Sequence, residues 1–486
     1  MTASDSRPHV GRIETRSIDY VPLAERRGTV WHQGPFWFAG NFVLVTMVTG
    51  FLTSAVGLPM GWSLLAVVLG VLFGTFFMAF HANQGPRMGL PQMIQSRAQF
   101  GSKGVLLPFA ATVFVYIGFT VFDLILATQA LQTVLPGGPV FWYPALAAIA
   151  LALAVVGHDL LHFVQRWLTW VLIAFFGVFT VWAVVSLGGD PAPVATAWSL
   201  SGFLTMFSVA AGYQISYSVY VSDYSRYLPP GAPAGRVIAW TYAGAAASAI
   251  WLMGLGVLLA SRIEAPDAIG TLVDVGNDLV GGFGTTLVLV SVPALVSICA
   301  VNAYGAMLTG ASAVDGFRRV TPSVRLRVVG IALVMAVAVV IALLLPEDYL
   351  GSFTTFVLLM LYFLIPWTAV NLVDFYLVRH GHYAITEIFV PGGLYGTWSR
   401  RGLIAYVVGV IAMIPFVVTS AYTGPVADLL GGVDVSFAVG LVVAGGLYYA
   451  LTRDLDLAAE RRVVEASEVE LERLVDEGRA SATETL

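Results

Sequence analysis

Cysteine and lysine are almost missing from this chain, and charge of either sign is scarce. The single cysteine, Cys299, lies inside an apolar run, so no intrachain disulfide can form. Lys103 is the only lysine; the remaining basic residues are arginines, a bias attributable to genomic base composition rather than chemistry. Charged residues make up 11% of the chain, against about 25% in a soluble domain. A basic face of the kind that reads nucleic acid is missing. No phosphate-cradling glycine loop and no dinucleotide fingerprint occurs, so the sequence gives no sign of ATP driving and implies no cofactor. The N-terminal stretch is polar to about Trp31 and holds Glu14, Asp19 and Glu25. It lacks the short apolar core and cleavage site of a signal peptide, so the first apolar run is expected to insert as an internal signal.

What the chain has in abundance is apolar length. It is 58% hydrophobic, with a mean hydropathy of +0.83. A helix needs about 20 apolar residues to cross a bilayer core of ~30 Å, and in lipid the backbone must satisfy its own hydrogen bonds. Twelve runs are read as spans, near 35–57, 61–81, 105–134, 142–157, 166–187, 200–222, 236–261, 281–312, 327–346, 352–378, 402–421 and 433–452, the fourth being short. With these spans, 23 of the 24 basic residues fall in the N-terminal tail, every second loop and the C-terminal tail; only Arg262 falls on the other side. That is the positive-inside pattern. It predicts an all-α polytopic protein of the cell membrane, with both ends in the cytoplasm. The gap at 262–280 faces outward and is acidic, with Glu264, Asp267, Asp274 and Asp278.

Four parts follow: a tail over 1–34, a core over 35–378, two further helices over 379–452, and a second tail over 453–486. The last mixes Arg and Glu at helical spacing and reads as a solvated amphipathic helix; a regulatory or partner-binding helix is the sharper alternative. His158 and His162 stand four apart, as two helical metal ligands do, but no third ligand is evident.

Spans that only anchor need no polar residues, yet these hold Asn41, Asp123, Gln129, Gln214, Asn302 and Asn371. An ionisable group at membrane depth is expensive and marks function by default; the bland alternative for Asp123 is a helix–helix hydrogen bond. Two spans also look broken, the first at Gly40-Asn41 and the sixth from Gly212. Discontinuous helices in corresponding halves mark a transporter's midplane binding site. Spans one and six correspond if the core is two units of five helices. An odd number per unit inverts the second, giving a 5+5 inverted repeat with two helices added at the end.

Several segments resemble the nucleobase–cation symporter family of cytosine, purine, allantoin and hydantoin permeases. They are the lead-in IETRSIDYVPLAERRGTVWHQGPFWFAGN, the loop GPRMGLPQMIQSRAQFGSKGVLLP, the end of helix six YVSDYSRYLP, and SICAVNAYGAML in helix eight. The resemblance implies a leucine-transporter-like 5+5 fold. It also implies inward movement of a planar heterocycle with a cation by alternating access; a monomer is compatible with the fold, and the oligomeric state stays open.

A nucleobase site wants aromatic faces for stacking and amides that present donor and acceptor together. Tyr116, Thr120 and Asp123 share one face of helix three. By resemblance, Tyr116 takes the stacking position and Thr120 a polar one; many members have Trp and Gln there, so this chain departs from the pattern. Asp123 either supplies the missing polar group or takes a proton. In helix six the stacking residue is Tyr213 or Tyr217, and the Gln214 amide is expected at the base edge. In helix eight Asn302 aligns with a family Asn that bonds substrate, and Tyr304 is a weaker candidate. Asn41 joins this set from the break in helix one. The family's sodium site implies carbonyls around Ala39 and Phe42 and a hydroxyl from Ser297, but Val296 stands where a second hydroxyl is expected. The coupling ion is therefore sodium or a proton. Asp223 and Arg226 read as a gate or helix-end pair.

Cytosine or a purine is the leading substrate; allantoin, hydantoin and the pyrimidine precursor of thiamine fit the same flat polar slot. An amino-acid or osmolyte transporter of this fold is a more distant reading. An intramembrane enzyme would need an acid pair, metal triad or nucleophile–base pair within the spans, and Asp123 has no such partner in the sequence.

Overall fold

The computed structural model describes residues 20–156, 158–189, 196–264, 267–318, 323–346 and 348–484. Within them all repeating structure is helical. The α-helices are α1 (Gln33–Asn41), α2 (Leu44–Thr49), α3 (Leu52–Val56), α4 (Met60–Ala82), α5 (Gln84–Met88), α6 (Gln92–Gln95), α7 (Arg97–Phe100), α8 (Leu106–Gln132), α9 (Pro139–Val156), α10 (His158–Leu187), α11 (Leu200–Ile215), α12 (Val221–Ser225), α13 (Ala234–Arg262), α14 (Ala268–Leu279), α15 (Phe283–Asp315), α16 (Val324–Leu344), α17 (Tyr349–Val373), α18 (Arg400–Met413), α19 (Pro425–Leu429), α20 (Ser436–Leu451) and α21 (Leu457–Glu484). Among the described residues, seven helices are long and apolar enough to cross a bilayer, or eight if the pair Val30–Asn41 and Leu44–Val56 forms one bent span. α9 and α20 are shorter apolar helices. The chain is a multi-pass membrane protein. The side chains of His158 and His162 lie outside the described residues.

The first break falls one residue later than Gly40-Asn41. Phe42 (φ −90°, ψ 68°) and Val43 (φ −135°, ψ 160°) leave the helical region, and the two halves meet at 68°. A break frees backbone groups that must find partners. The Thr46 hydroxyl donates to the Asn41 carbonyl at 2.7 Å and fills that need.

The second break is not at Gly212, where the sequence placed it. α11 runs unbroken to Ile215; a tight turn over Ser216–Val219 follows, then Tyr220 (φ −141°, ψ 5°), then α12. Gly212 serves close packing instead, since a Cβ there would stand 2.9 Å from the Val357 carbonyl of α17. The Ser216 hydroxyl donates to the Tyr213 carbonyl at 2.6 Å where the helix tightens.

Small residues let helix backbones meet where lipid gives no hydrophobic drive. On α13, a Cβ at Gly244 would sit 2.1 Å from the Gly34 carbonyl, and one at Gly256 would sit 2.1 Å from the Met47 carbonyl. On α4, Cβ atoms at Gly70 and Gly74 would each sit 2.3 Å from carbonyls of α11, those of Phe207 and Ala211. Helix one is thus seated on α13, and α4 on α11.

The segment between α4 and α8 is not a plain loop. It holds α5, α6 and α7, all largely buried. Arg97 donates to the Ser312 carbonyl at 3.0 Å and lies 3.5 Å from Asp315 at the end of α15. Burial lowers its guanidinium from the ordinary value, and Asp315 works against that shift. The tail helix α21 is docked rather than solvated all round. Arg379 bonds Glu460 through two nitrogens, at 2.9 and 3.0 Å, and Thr386 donates to Ser467 at 3.0 Å. The acidic gap holds α14, which Asp267 caps by accepting the Gly270 N–H at 2.7 Å.

Candidate functional site

The two breaks face one cavity of about 50 Å³. Its walls are aromatic: Trp37 from α1, Phe119 from α8, and Tyr213, Tyr217, Tyr220 and Tyr224 from the broken sixth helix. The four tyrosines are spaced four, three and four apart, so they stay on one side of the chain through the break. Trp37 meets Tyr217 and Tyr224 edge-on, with centroids 6.0 and 5.5 Å apart.

Two polar side chains complete the lining, Asp123 from α8 and Asn302 from α15. Asp123 is fully buried, and neither of its carboxyl oxygens has a hydrogen-bond partner among the described residues. The Asn302 amide nitrogen is likewise buried and without a partner there. Buried polar groups are normally bonded. Three unsatisfied atoms on one aromatic cavity therefore describe a place that a polar, flat ligand would complete.

Of the residues named from the sequence, Asp123, Tyr213, Tyr217 and Asn302 line this cavity, and Asn41, Gln214, Thr120 and Tyr116 stand behind it. The Asn41 amide donates to Gln214 Oε1 at 2.8 Å and to the Ala245 carbonyl at 2.9 Å, while its oxygen accepts from the Tyr217 hydroxyl at 3.0 Å. Gln214 donates in turn to Thr75 at 2.7 Å. Both amides are thus spent on holding α1, α4, α11 and α13 together, and Gln214 does not present its amide at the cavity. The Thr120 hydroxyl is turned back onto its own helix, donating to the Tyr116 carbonyl at 2.8 Å. The Tyr116 ring stacks on Tyr220, with centroids 5.5 Å apart, and backs the wall rather than forming it. Tyr304 points elsewhere, under the Arg327 guanidinium.

Ala39, Phe42 and Ser297 meet in a second, smaller cavity of about 10 Å³, together with Thr169 of α10. The Ser297 hydroxyl donates to the Ala294 carbonyl at 2.8 Å. Asp223 and Arg226 lie away from both cavities. Asp223 accepts the Gln92 backbone N–H at 2.8 Å, which ties α12 to α6, and Arg226 donates to the Asp223 carbonyl at 3.2 Å.

Trp37, Phe119, Tyr220 and Tyr224 were missed in the sequence; the tyrosine spacing was the signal for two of them. A buried polar cluster on the arginine-rich face was missed as well. His81 stacks flat on Trp367 with centroids 4.6 Å apart and lies 2.7 Å from Thr368 Oγ1. Gln84 donates to Asn371 at 2.6 Å. Asp374 accepts from Gln99 and Tyr383, both at 2.7 Å, from Tyr448 at 2.8 Å, and from Arg379.

The chain matches the family model of permeases for cytosine/purines, uracil, thiamine and allantoin over residues 20–440. It is 37% identical over 446 residues to YxlA of Bacillus subtilis, provisionally named a purine-cytosine permease, covering 91% of this chain and 96% of that one. The purine-cytosine permease fcyB of Emericella nidulans is 25% identical, with 90% and 88% covered. Among solved structures, the nucleobase-cation-symport-1 family transporter Mhp1, closed with bromovinylhydantoin bound, superposes with a TM-score of 0.73 at 18% identity, covering 93% of this chain and 99% of that one.

Proposed function

This chain belongs to the family of nucleobase-type permeases described above, and we propose that it is a secondary active importer of cytosine or a purine, driven by symport of a cation with alternating access. The observation that carries this reading is the cavity between the two helix breaks, where tyrosine and tryptophan rings surround the unsatisfied polar atoms of Asp123 and Asn302. Stacking on such rings is worth about 1–3 kcal/mol per base, and a carboxyl with an amide can address two edges of a flat heterocycle. At about 50 Å³ the cavity holds only a few waters. A base enters by parting the rings of Trp37, Tyr217, Tyr220 and Tyr224.

Twelve spans follow if α1–α3 and α11–α12 each count once, alongside α4, α8, α9, α10, α13, α15, α16, α17, α18 and α20. Spans one to ten form the core as a 5+5 inverted repeat over 35–378, spans eleven and twelve follow over 379–452, and the tails occupy 1–34 and 453–486. Supporting this is the pairing of helices. α1 packs on α13 as α11 packs on α4, and α8 packs on α17 as α15 packs on α10. Exchanging each span with the one five places on turns the first member of each couple into the second. The pairs α8 with α15, α4 with α13, and α9 with α16 map onto themselves. The arginine distribution supports a cell-membrane location with both tails in the cytoplasm.

Sodium has a candidate seat where Ala39, Phe42, Ser297 and Thr169 meet, because hard cations take oxygen ligands. Val296 in place of a hydroxyl argues for proton coupling. Uptake of radiolabelled cytosine, adenine and hypoxanthine into proteoliposomes, under a sodium gradient and separately under a proton gradient, tests the reading. Accumulation under only one gradient is expected and identifies the ion. Failure of all three bases under both gradients, with protein shown to be folded and inserted, would sink the cytosine–purine reading in favour of allantoin, hydantoin or a thiamine precursor.

A further inference from the structure

Asp123 is surrounded by groups that carry no positive charge. Tyr213, Tyr217 and Tyr220 face it from the broken sixth helix, Cys299 from α15 and Tyr349 from α17. No arginine, lysine or histidine pairs with it among the described residues. Two of the facing hydroxyls are already engaged, Tyr213 with Thr46 at 2.7 Å and Tyr217 with Asn41 at 3.0 Å. The Tyr349 hydroxyl is buried without a partner among the described residues and makes no hydrogen bond to Asp123, so the carboxyl is left to bond what enters the cavity.

The two forms of a carboxyl group present different patterns. The acid offers one donor beside one acceptor; the carboxylate offers two acceptors. Adenine and cytosine each carry an edge with a ring nitrogen, an acceptor, beside an exocyclic amino group, a donor. That edge interlocks with the acid through two hydrogen bonds. Against the carboxylate, one oxygen would face the lone pair of the ring nitrogen. The unsatisfied amide nitrogen of Asn302 supplies a further donor for a second acceptor on the ring.

We propose that Asp123 both reads the edge of the base and carries the coupled proton. This rests on reading the cavity as a base site. On the loading side the carboxylate gains a proton from water, forming the O–H bond, and the acid binds a heterocycle with a donor and an acceptor side by side. On the releasing side the base leaves, the O–H bond breaks, and the proton passes to water. One proton crosses with each base, and the pattern match, rather than a second site, enforces the coupling.

The test uses purified full-length protein, with adenine as the probe and 6-methylpurine, which lacks the amino donor, as its control. Adenine affinity should fall about tenfold per pH unit across the range where the empty site loses its proton, and 6-methylpurine should bind at least tenfold more weakly than adenine. Adding adenine at the upper end of that range in weak buffer should take up close to one proton per site, a readout that needs no variant. Asp123→Asn fixes one donor and one acceptor in place. It should bind adenine within several-fold of the wild-type low-pH affinity, with a flat pH profile, and should exchange base without accumulating it under a proton gradient. Adenine binding that is flat with pH in the wild type, or proton-driven accumulation that survives in Asp123→Asn, would overturn the proposal while leaving the base site standing. Folded protein that binds no base at any pH would overturn the base site itself and the proposal with it.

Discussion

Asp374 and Asp123 are both fully buried carboxyls, one at the end of α17 and the other within α8, and their surroundings treat them in opposite ways. Asp374 accepts from Gln99, Tyr383, Tyr448 and Arg379, and through Arg379 it is joined to Glu460 of α21. Asp123 accepts from nothing among the described residues. A satisfied polar cluster fixes a single arrangement of the helices around it, whereas an unsatisfied one leaves a deficit that a ligand can fill. The same residue type thus serves as a brace in one region and as an open socket in the other.

The comparison breaks most visibly at the brace. Asp374→Ala leaves Glu460 as the carboxylate partner of Arg379 and strips the buried Gln99, Tyr383 and Tyr448 donors of their acceptor; it should destabilise the fold by about 3–5 kcal/mol, the range for breaking a buried pair, and loss of folded protein in detergent thermal-unfolding assays checks it. Asn302→Ala should do the reverse. Uptake should be abolished, with a loss of about 1–3 kcal/mol in base affinity expected for one hydrogen bond to a buried partner, while membrane abundance and melting temperature stay unchanged. Normal uptake would remove Asn302 from the site. Tyr220→Ala should weaken base binding by about 1–3 kcal/mol through lost stacking, and equilibrium binding of adenine measures it; an unchanged affinity would make that wall structural only. The smallest effect belongs to Glu460→Gln, which keeps one acceptor for Arg379, loses the other and removes the charge. It should cost about 1 kcal/mol in stability and leave base affinity untouched, so a changed affinity would tie the tail helix to the socket.

How much of this was legible in the sequence follows from period and depth. Long apolar runs locate α4, α8, α13, α15 and α17 to within a few residues, because membrane thickness sets their length. Asp123 and Asn302 stand out because polar residues at that depth are rare. The position of the second break was not legible. Glycine at 212 can mean either a bend or a close approach, and only the neighbouring Val357 carbonyl decides between them. The roles of Asn41 and Gln214 were hidden for a similar reason: an amide suited to a base edge is equally suited to another amide, and these two meet each other. The cluster around Asp374 draws on four separate stretches of chain, so no single stretch announced it. The tail over 453–486 looked solvated because two of its anchors, the half-buried Glu460 and the buried Ser467, are polar, and the buried Val464 stands among charged neighbours.

The seating of helix one on α13 has a consequence for how the chain is made. Asn41 and its acceptor at Ala245 are 204 residues apart. At about 5–20 residues per second of synthesis, that stretch takes roughly 10–40 s to emerge. For that interval the first helix stands in the bilayer with its break, its amide and its glycine faces exposed, waiting for a partner not yet translated. Delay or loss of α13 during synthesis would leave an orphan segment of the kind that membrane quality control removes.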